Sequence, residues 1–227
     1  MKNFRLLLSV MAIFIFGTAS SQVSVGIKGG VNFASTIESF YVDAINNAPT
    51  GLASFYTGVY SEIHINDNFS FQPEINYTRK GFSVDQGSSF DIGGFDIPFG
   101  ARINTHLDYI EAPLLAKLKL NTEHITLYGI VGPSIGYATR GTLNPQVTVL
   151  IPINLPSIDI DLTNNIYERT EVSGVIGGGI EIPVGDGMMV ADIRYQHGFT
   201  NVLNDPIIDV SLRNQSVQLG LGYSHKF

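Results

Sequence analysis

The chain has 227 residues, 24 of them glycine, and only 15% are charged, against roughly 25% in ordinary soluble proteins. It contains no cysteine, which excludes disulfide scaffolds, thiolate metal sites and cysteine nucleophiles. Twenty acidic and 13 basic side chains give a formal charge of −7, which argues against a nucleic-acid-binding protein.

The beginning of the chain is typical of a secretory signal peptide. Two basic residues precede the apolar run Leu6–Phe16, and the small residues Ala19 and Ser21 fit cleavage after Ser21. A membrane anchor is the alternative, but this run would rise only about 16 Å as a helix, short of a bilayer core of roughly 30 Å. We therefore predict a signal peptide at 1–21 and a single domain over 22–227.

After the signal peptide, apolar and polar residues alternate with the period of two that is typical of β-strands. In the first stretch, Val25 and Ile27 alternate with Gly26 and Lys28. Eight stretches follow this rule, and no helical period of comparable length competes with it. The predicted strands are Val23–Phe33, Ser54–Ile65, Phe69–Phe82, Leu107–Leu120, Ile125–Thr139, Thr170–Ile182, Met188–Phe199 and Gln215–Phe227.

Short and long connections alternate between these strands. The short ones are Asn66–Asn68, Asn121–His124 and Pro183–Gly187. The long ones are Ser35–Ala53, Ser83–His106, Arg140–Arg169 and Thr200–Asn214. This alternation is typical of outer-membrane barrels, which have short periplasmic turns and long external loops. We therefore predict an all-β, eight-stranded antiparallel up-and-down transmembrane β-barrel with both termini in the periplasm.

The polar strand faces bear charged residues, and in a barrel of eight strands those faces point into an interior that side chains fill. Unpaired buried ions cost several kcal/mol, so we hypothesise a salt-bridged, plugged interior rather than an open pore. A soluble sandwich with solvated outer charges, or a lipocalin-like carrier of a small apolar ligand, is the alternative. In the predicted cluster Glu62, Glu74, Glu111 and Glu181 face Lys28, Lys117, Lys119 and Arg194.

Aromatic residues on the apolar faces group near the two ends of the strands, as expected for girdles at the two membrane interfaces. The turn-side group is Phe69, Phe71, Tyr223 and Phe227, and the loop-side group is Phe33, Tyr77, Tyr137 and Tyr195. Tyr223 and the terminal Phe227 are also similar to the C-terminal signal that the barrel-assembly machinery recognises. We therefore expect that machinery to be a partner during biogenesis.

The third long connection is unusually apolar over residues 142–164. Within it, the alternation of Ile158, Ile160 and Leu162 predicts a strand above the membrane. An apolar external segment is typical of an edge that binds a protein partner, and packing as a lid over the barrel mouth is the equal alternative.

No cofactor or metal site is predicted, because the five histidines are scattered along the chain. Calcium binding by loop aspartates stays open for Asp159, Asp161, Asp205 and Asp209. A lipid-modifying enzyme would need a base such as His197 beside Ser83 or Ser134, and no motif places them together. We therefore predict a non-enzymatic protein.

Six stretches in chain order resemble one family of barrels. They read GVYSE at 58–62, PEINYTRKGF at 73–82, YIEAPLLAK at 109–117, YGIVGPSIGY at 128–137, GVIGGG at 174–179 and RYQHGFTN at 194–201. Together they resemble the PorT-type outer-membrane β-barrel domains of Bacteroidota. The resemblance implies an eight-stranded barrel in the outer membrane and assigns no activity and no site residue. We expect a monomer in outer-membrane lipid, with an external or periplasmic protein partner and no nucleic acid.

Overall fold

The computed structural model describes residues 23–39, 50–92, 95–149, 151–162, 169–200 and 211–226. The predicted signal peptide and Phe227 lie outside these residues. Within them, no helix is long and apolar enough to cross a membrane. The strands are β1 (Val23–Ser39), β2 (Thr50–His64), β3 (Phe69–Ile92), β4 (Phe95–Asn121), β5 (Thr126–Val149), β6 (Ile151–Asn154), β7 (Ile158–Ile160), β8 (Thr170–Val184), β9 (Gly187–Gly198) and β10 (Ser211–Lys226).

The eight long strands form a closed antiparallel ring. β1 to β5 pair in succession, β5 pairs with β8, and β8, β9 and β10 lead back to β1. The short strands β6 and β7 both pair with the distal part of β5 and do not enter the ring. The eight-stranded antiparallel up-and-down barrel predicted from the alternation is therefore confirmed.

The register of the ladder fixes the tilt of the strands. Following paired residues once around the ring from Val23 leads back to Phe33, ten residues further along β1. With about 3.3 Å per residue and about 4.8 Å between strands, this offset corresponds to a tilt of about 40°. Ten tilted residues span about 25 Å, which is the height of the apolar band on outer-membrane barrels.

The two faces of the barrel wall have the opposite polarity to a soluble protein. Ile27, Leu118 and Leu221 point outward and are 65%, 61% and 66% exposed. Lys28 and Lys117 point inward and are buried. A soluble sandwich and a lipocalin-like carrier both place their apolar faces inside, so both alternatives disagree with this arrangement.

The predicted long connections contain more strand than the sequence pattern indicates. The second one, Ser83–His106, is largely a continuation of β3 and β4, which remain paired as far as Ile92 and Phe95. Stretches such as Gly87–Ser89 have low strand propensity, so the sequence pattern does not predict that the strands continue there. The expectation of a long loop there is wrong, because the backbone ladder continues past the apolar band.

The third predicted loop, Arg140–Arg169, is also partly strand. It contains the distal part of β5 and the strands β6 and β7, and β7 coincides with the strand expected above the membrane. Together the distal parts of β3, β4 and β5 with β6 and β7 form a sheet that projects beyond the ring, which we call the external sheet.

Candidate functional site

The inward strand faces bring together five cations and six carboxylates among the described residues. Because side chains alternate along each strand, every second residue of neighbouring strands contributes to the same interior. These residues form three clusters at successive heights. The turn-side cluster is Glu62, Lys117, Lys119 and Glu181; the central cluster is Lys28, Glu74, Asp192 and Arg194; the loop-side cluster is Lys80, Glu111 and Glu171.

In the turn-side cluster, Lys117 on β4 bridges two carboxylates from different strands. Its Nζ lies 2.8 Å from Glu62 Oε2 and also pairs with Glu181. Lys119 Nζ lies 2.7 Å from Glu62 Oε1 and donates to His64 Nδ1 at 2.9 Å. Each lysine ammonium is thus held by acceptors from strands other than its own.

The central cluster spans the barrel. Arg194 Nη1 lies 3.0 and 2.9 Å from the two carboxylate oxygens of Glu74, and its Nη2 lies 2.6 Å from Asp192 Oδ2. Glu74 also pairs with Lys28 and accepts a hydrogen bond from Asn76 Nδ2 at 3.0 Å. Both oxygens of this buried carboxylate are therefore satisfied by cationic and amide donors.

The loop-side cluster is arranged around a single lysine. Lys80 Nζ lies 2.8 Å from Glu111 Oε1 and 2.5 Å from Glu171 Oε1. Glu111 accepts two further hydrogen bonds, from Thr78 Oγ1 at 2.7 Å and from Gln196 Nε2 at 2.9 Å. One cation thus bridges two carboxylates, and neutral donors supply further hydrogen bonds to them.

The structure places all eight residues of the predicted interior cluster inside the barrel, but it distributes them differently from the expected pairing. Glu111 meets none of the four predicted cations, since its partner is Lys80. Glu171 and Asp192 also belong to the clusters and were absent from the predicted set. Lys80, Glu171 and Asp192 lie on the polar strand faces that the alternation predicts to point inward, although they were not among the eight residues expected to pair.

Three of the buried tyrosines lie beside lysines of the ion clusters. The rings of Tyr56, Tyr109 and Tyr128 lie 5.7, 5.1 and 4.2 Å from the Nζ atoms of Lys28, Lys80 and Lys117, respectively. A cation over an aromatic face in a desolvated site is stabilised by the ring electrons. Each cluster therefore contains one lysine that pairs with a carboxylate and also lies over a ring.

A family model described as "Outer membrane protein beta-barrel domain" matches residues 17–204. The chain belongs to this family. The PorT-type assignment is finer than this match and stays a prediction. No curated protein sequence matches the chain.

Several solved outer-membrane barrels are similar to this one in fold. The attachment invasion locus protein Ail of Yersinia pestis has 15% identity and a TM-score of 0.41, and the match covers 88% of this chain and 97% of that one. Neisserial surface protein A has 14% identity and a TM-score of 0.47, with 90% and 97% covered. OprG of Pseudomonas aeruginosa has 12% identity and a TM-score of 0.45, with 91% and 97% covered. At these identities the similarity concerns the fold alone.

The external sheet of this outer-membrane barrel has one anchored part and one exposed part. Leu162 is buried against Leu107, Tyr109 and Ala138, above the loop-side cluster. By contrast, the apolar side chains of β6 and its surroundings are exposed: Ile151 66%, Ile153 52% and Ile158 56%. The segment predicted to be either a lid or a binding edge thus divides into an anchor and an apolar surface.

The remaining candidate residues do not assemble into a site. His197 lies on the outward face, with its Nδ1 3.2 Å from Tyr195 Oη, whereas Ser134 is buried on the inward face of β5. Among the described residues, no group of His, Asp or Glu is placed to hold a metal ion. Asp159 pairs with Arg140 at 2.9 Å, and Asp205 and Asp209 lie outside the described residues.

Tyr223, half of the predicted assembly signal, lies on the outward face of β10. It pairs with Ile27 on β1 and with Met189 on β9, both of which are also outward-facing apolar residues. The other half of the signal, Phe227, lies outside the described residues.

Proposed function

We propose that the protein is a non-enzymatic, monomeric outer-membrane barrel whose interior is closed by its ion clusters and whose external sheet binds a protein partner. The observation that supports a closed interior is the hydrogen bonding between Arg194 and Glu74. Their strands, β9 and β3, are four positions apart in either direction around the ring of eight. Side chains from opposite walls that bond directly to each other leave no continuous lumen between them.

The turn-side cluster supports the same conclusion at a second height. Lys117 connects Glu62 on β2 with Glu181 on β8, and these two strands are also opposite in the ring. A solute crossing the barrel would have to separate both sets of pairs. Separating buried ions is costly, so we expect the closed state to be the stable one.

Planar-bilayer recording of the folded protein tests the closed interior. We expect no large, stable conductance from the wild-type barrel and a measurable conductance from Glu74→Gln/Arg194→Gln, which lacks the central crossing. The matched control is Asp85→Asn/Arg102→Gln, which removes an exposed pair in the external sheet and leaves the interior intact. A large, stable wild-type conductance would overturn the proposal.

The polarity of the wall and the direction of the strand ends support placement in the outer membrane with both termini periplasmic. Val25 near the start of β1 pairs with His225 near the end of β10, on the side of the short turns. Fractionation with carbonate extraction tests the placement, and protease cleavage of a C-terminal tag in intact cells tests the orientation. Extraction by carbonate would contradict an integral barrel, and cleavage in intact cells would contradict periplasmic termini.

The exposed apolar part of the external sheet supports a protein-binding role. We expect Ile151→Ser/Ile153→Ser to keep the heat-modifiable gel shift of a folded barrel and to lose cross-links to a partner in gently solubilised membranes. The comparison variant is Leu162→Ala, which removes the anchor and should weaken folding instead. Retention of every cross-link by the serine variant would contradict this role.

The C-terminal strand supports recognition by the barrel-assembly machinery. Tyr223 keeps an outward, lipid-facing position, as a strand-end signal requires. We expect Phe227→Ser to lower the amount of folded protein in the outer membrane without changing its refolding from urea in vitro. An unchanged amount of folded protein in the outer membrane would contradict this assignment.

The six stretches that resemble PorT-type domains support membership of that group.

A further inference from the structure

The outward face of the barrel changes from apolar to charged at one level on the loop side. Tyr77, Ile110 and Tyr137 pair across β3, β4 and β5 in one outward row. Adjacent to it on the loop side, Arg79, Asp108 and Arg140 form the next outward row. The guanidinium groups therefore lie beside the last aromatic residues of the apolar band, where lipid headgroups meet the protein.

A β-bulge in β5 turns Arg140 toward this surface. Tyr109 pairs with Ala138 and the preceding Asp108 pairs with Arg140, so Thr139 is the extra residue. Without the bulge, Arg140 would share the inward face with Ala138. Instead its side chain is 63% exposed. Bulges that re-aim a side chain at the rim of a barrel are typical of functional positions.

A third arginine joins the two from the side of β8. Arg169 lies with its guanidinium carbon 4.7 Å from the centre of the Tyr137 ring, and its Nε donates to Ala138 O at 3.3 Å. Arg79 is held in a similar way, 5.6 Å from the Phe55 ring. Two of the three guanidinium planes are thus oriented by aromatic rings of the apolar band.

The basic residues of the interior and of the loop-side surface differ in type. Among the described residues, the interior contains four lysines and one arginine, whereas the cations on the loop side outside the interior are all arginine: Arg79, Arg102, Arg140, Arg169 and Arg213. Guanidinium groups match phosphate with paired N–H donors, which ammonium groups do not. The turns at the other end carry Asp67, Glu123 and Asp186 instead.

We propose that Arg79, Arg140 and Arg169 bind the phosphate groups of a lipid of the outer leaflet. The carboxylates of Asp108 and Asp159 orient Arg79 and Arg140, with Nε to Oδ1 distances of 2.7 and 3.2 Å. Among the described residues, ion pairs join two carboxylates to these three guanidinium groups, which leaves one positive charge and an excess of N–H donors. An anionic headgroup at this level would neutralise the remaining positive charge and accept hydrogen bonds from the free N–H donors. This proposal rests on the membrane placement proposed above.

The test uses the mature chain refolded into phosphatidylcholine vesicles that contain diphosphoryl lipid A. Native mass spectrometry after detergent extraction measures the lipid A retained per barrel. Three comparisons identify what is bound. Dephosphorylated lipid A tests whether the acyl chains are sufficient for binding, and phosphatidylglycerol tests whether any anionic lipid is sufficient. Added inorganic phosphate tests whether free phosphate competes for the site. We expect wild-type protein to retain diphosphoryl lipid A preferentially and inorganic phosphate to compete weakly.

Arg79→Gln/Arg140→Gln/Arg169→Gln should retain about a hundredfold less lipid A, since each guanidinium near an anionic surface contributes about a factor of five. The control is Arg102→Gln/Arg213→Gln, which removes two positive charges from the external part, as many as Arg140→Gln/Arg169→Gln removes, and leaves the rim row intact. Because Arg79 is paired with Asp108, Arg140→Gln/Arg169→Gln provides a variant without that disruption and should show an intermediate loss. Equal losses in control and triple variant, or equal retention of phosphorylated and dephosphorylated lipid, would overturn the proposal. The gel shift of each variant reports barrel insertion separately, so a failed barrel is distinguished from a failed lipid site.

Discussion

The interior clusters and the external rim use the same kind of interaction in opposite surroundings. In the central cluster, the side chains of Lys28 and Glu74 are 4% and 0% exposed, whereas those of Arg140 and Asp159 at the rim are 63% and 68% exposed. A buried pair that loses one partner leaves an uncompensated charge in a medium of low dielectric constant. An exposed pair that loses one partner leaves a hydrated charge. The contribution of each ion pair to the free energy of unfolding therefore depends more on its burial than on its geometry.

The two regions also differ in which cation they use. In the interior, Lys80 and Lys117 each place one compact ammonium between two carboxylates from different strands. A point charge with three freely directed donors suits a narrow space that must bring several strands together. The planar guanidinium groups of the rim suit a flat, wetter surface, where they can stack on rings and bind an anion.

The largest effect is expected from Glu74→Gln in the central cluster. The substitution keeps the shape of the side chain but leaves Lys28 and Arg194 without a shared carboxylate. Because both cations stay buried, we expect the free energy of unfolding to fall by about 3–5 kcal/mol. The measurement is urea unfolding in vesicles, followed by circular dichroism and the gel shift. The control is Asp85→Asn, which removes one partner of an exposed ion pair. If Glu74→Gln lowered the free energy of unfolding no more than Asp85→Asn does, the difference between the two regions would be contradicted.

Lys80→Met in the loop-side cluster should have a somewhat smaller effect, about 3 kcal/mol, because Thr78 and Gln196 still donate to Glu111. The two carboxylates would then face each other without a cation. Adding Glu171→Gln to Lys80→Met removes one of these charges and should recover at least about 1 kcal/mol, since the sites are in direct contact. Additive costs in the double variant would show that the cluster does not act as a unit.

A substitution at Gly220 tests how closely the interior is filled. A Cβ atom there would lie 2.0 Å from Tyr56 Oη and 2.7 Å from Asp192 Oδ1, and Tyr56 is almost completely buried. We expect Gly220→Ala to cost about 1–3 kcal/mol through overpacking. Gly129→Ala is the matched control on the outward face, where the nearest atom would lie 3.9 Å away. Equal stabilities of the two variants would indicate unfilled space beside Tyr56.

The sequence predicts the ring and its two faces because both follow from local information. A period of two assigns each side chain to a face, and alternating connection lengths set the order of the strands. It does not predict which charges meet, since Lys80 and Glu171 are brought together only by closure of the ring. The bulge at Thr139 is likewise not predicted, because it lies at the end of the predicted strand Ile125–Thr139, where no apolar alternation follows to show the change of phase.

The smallest change in stability is expected from Asp159→Asn at the external rim. Arg140 contacts Asp159 through Nε at 3.2 Å and Nη2 at 2.9 Å, and both side chains are exposed, so the free energy of unfolding should hardly change. The same substitution removes a negative charge beside the three arginines. It should therefore raise the retention of diphosphoryl lipid A, by up to about fivefold, while the unfolding curve hardly moves. Asp85→Asn, which lies away from the rim, should change neither quantity. If Asp159→Asn lowered stability and left lipid A retention unchanged, the role of Arg140 would be to stabilise the fold through its ion pair with Asp159. Binding at the membrane surface would then be contradicted, because a hydrated ion pair alone does not affect which lipid the barrel retains.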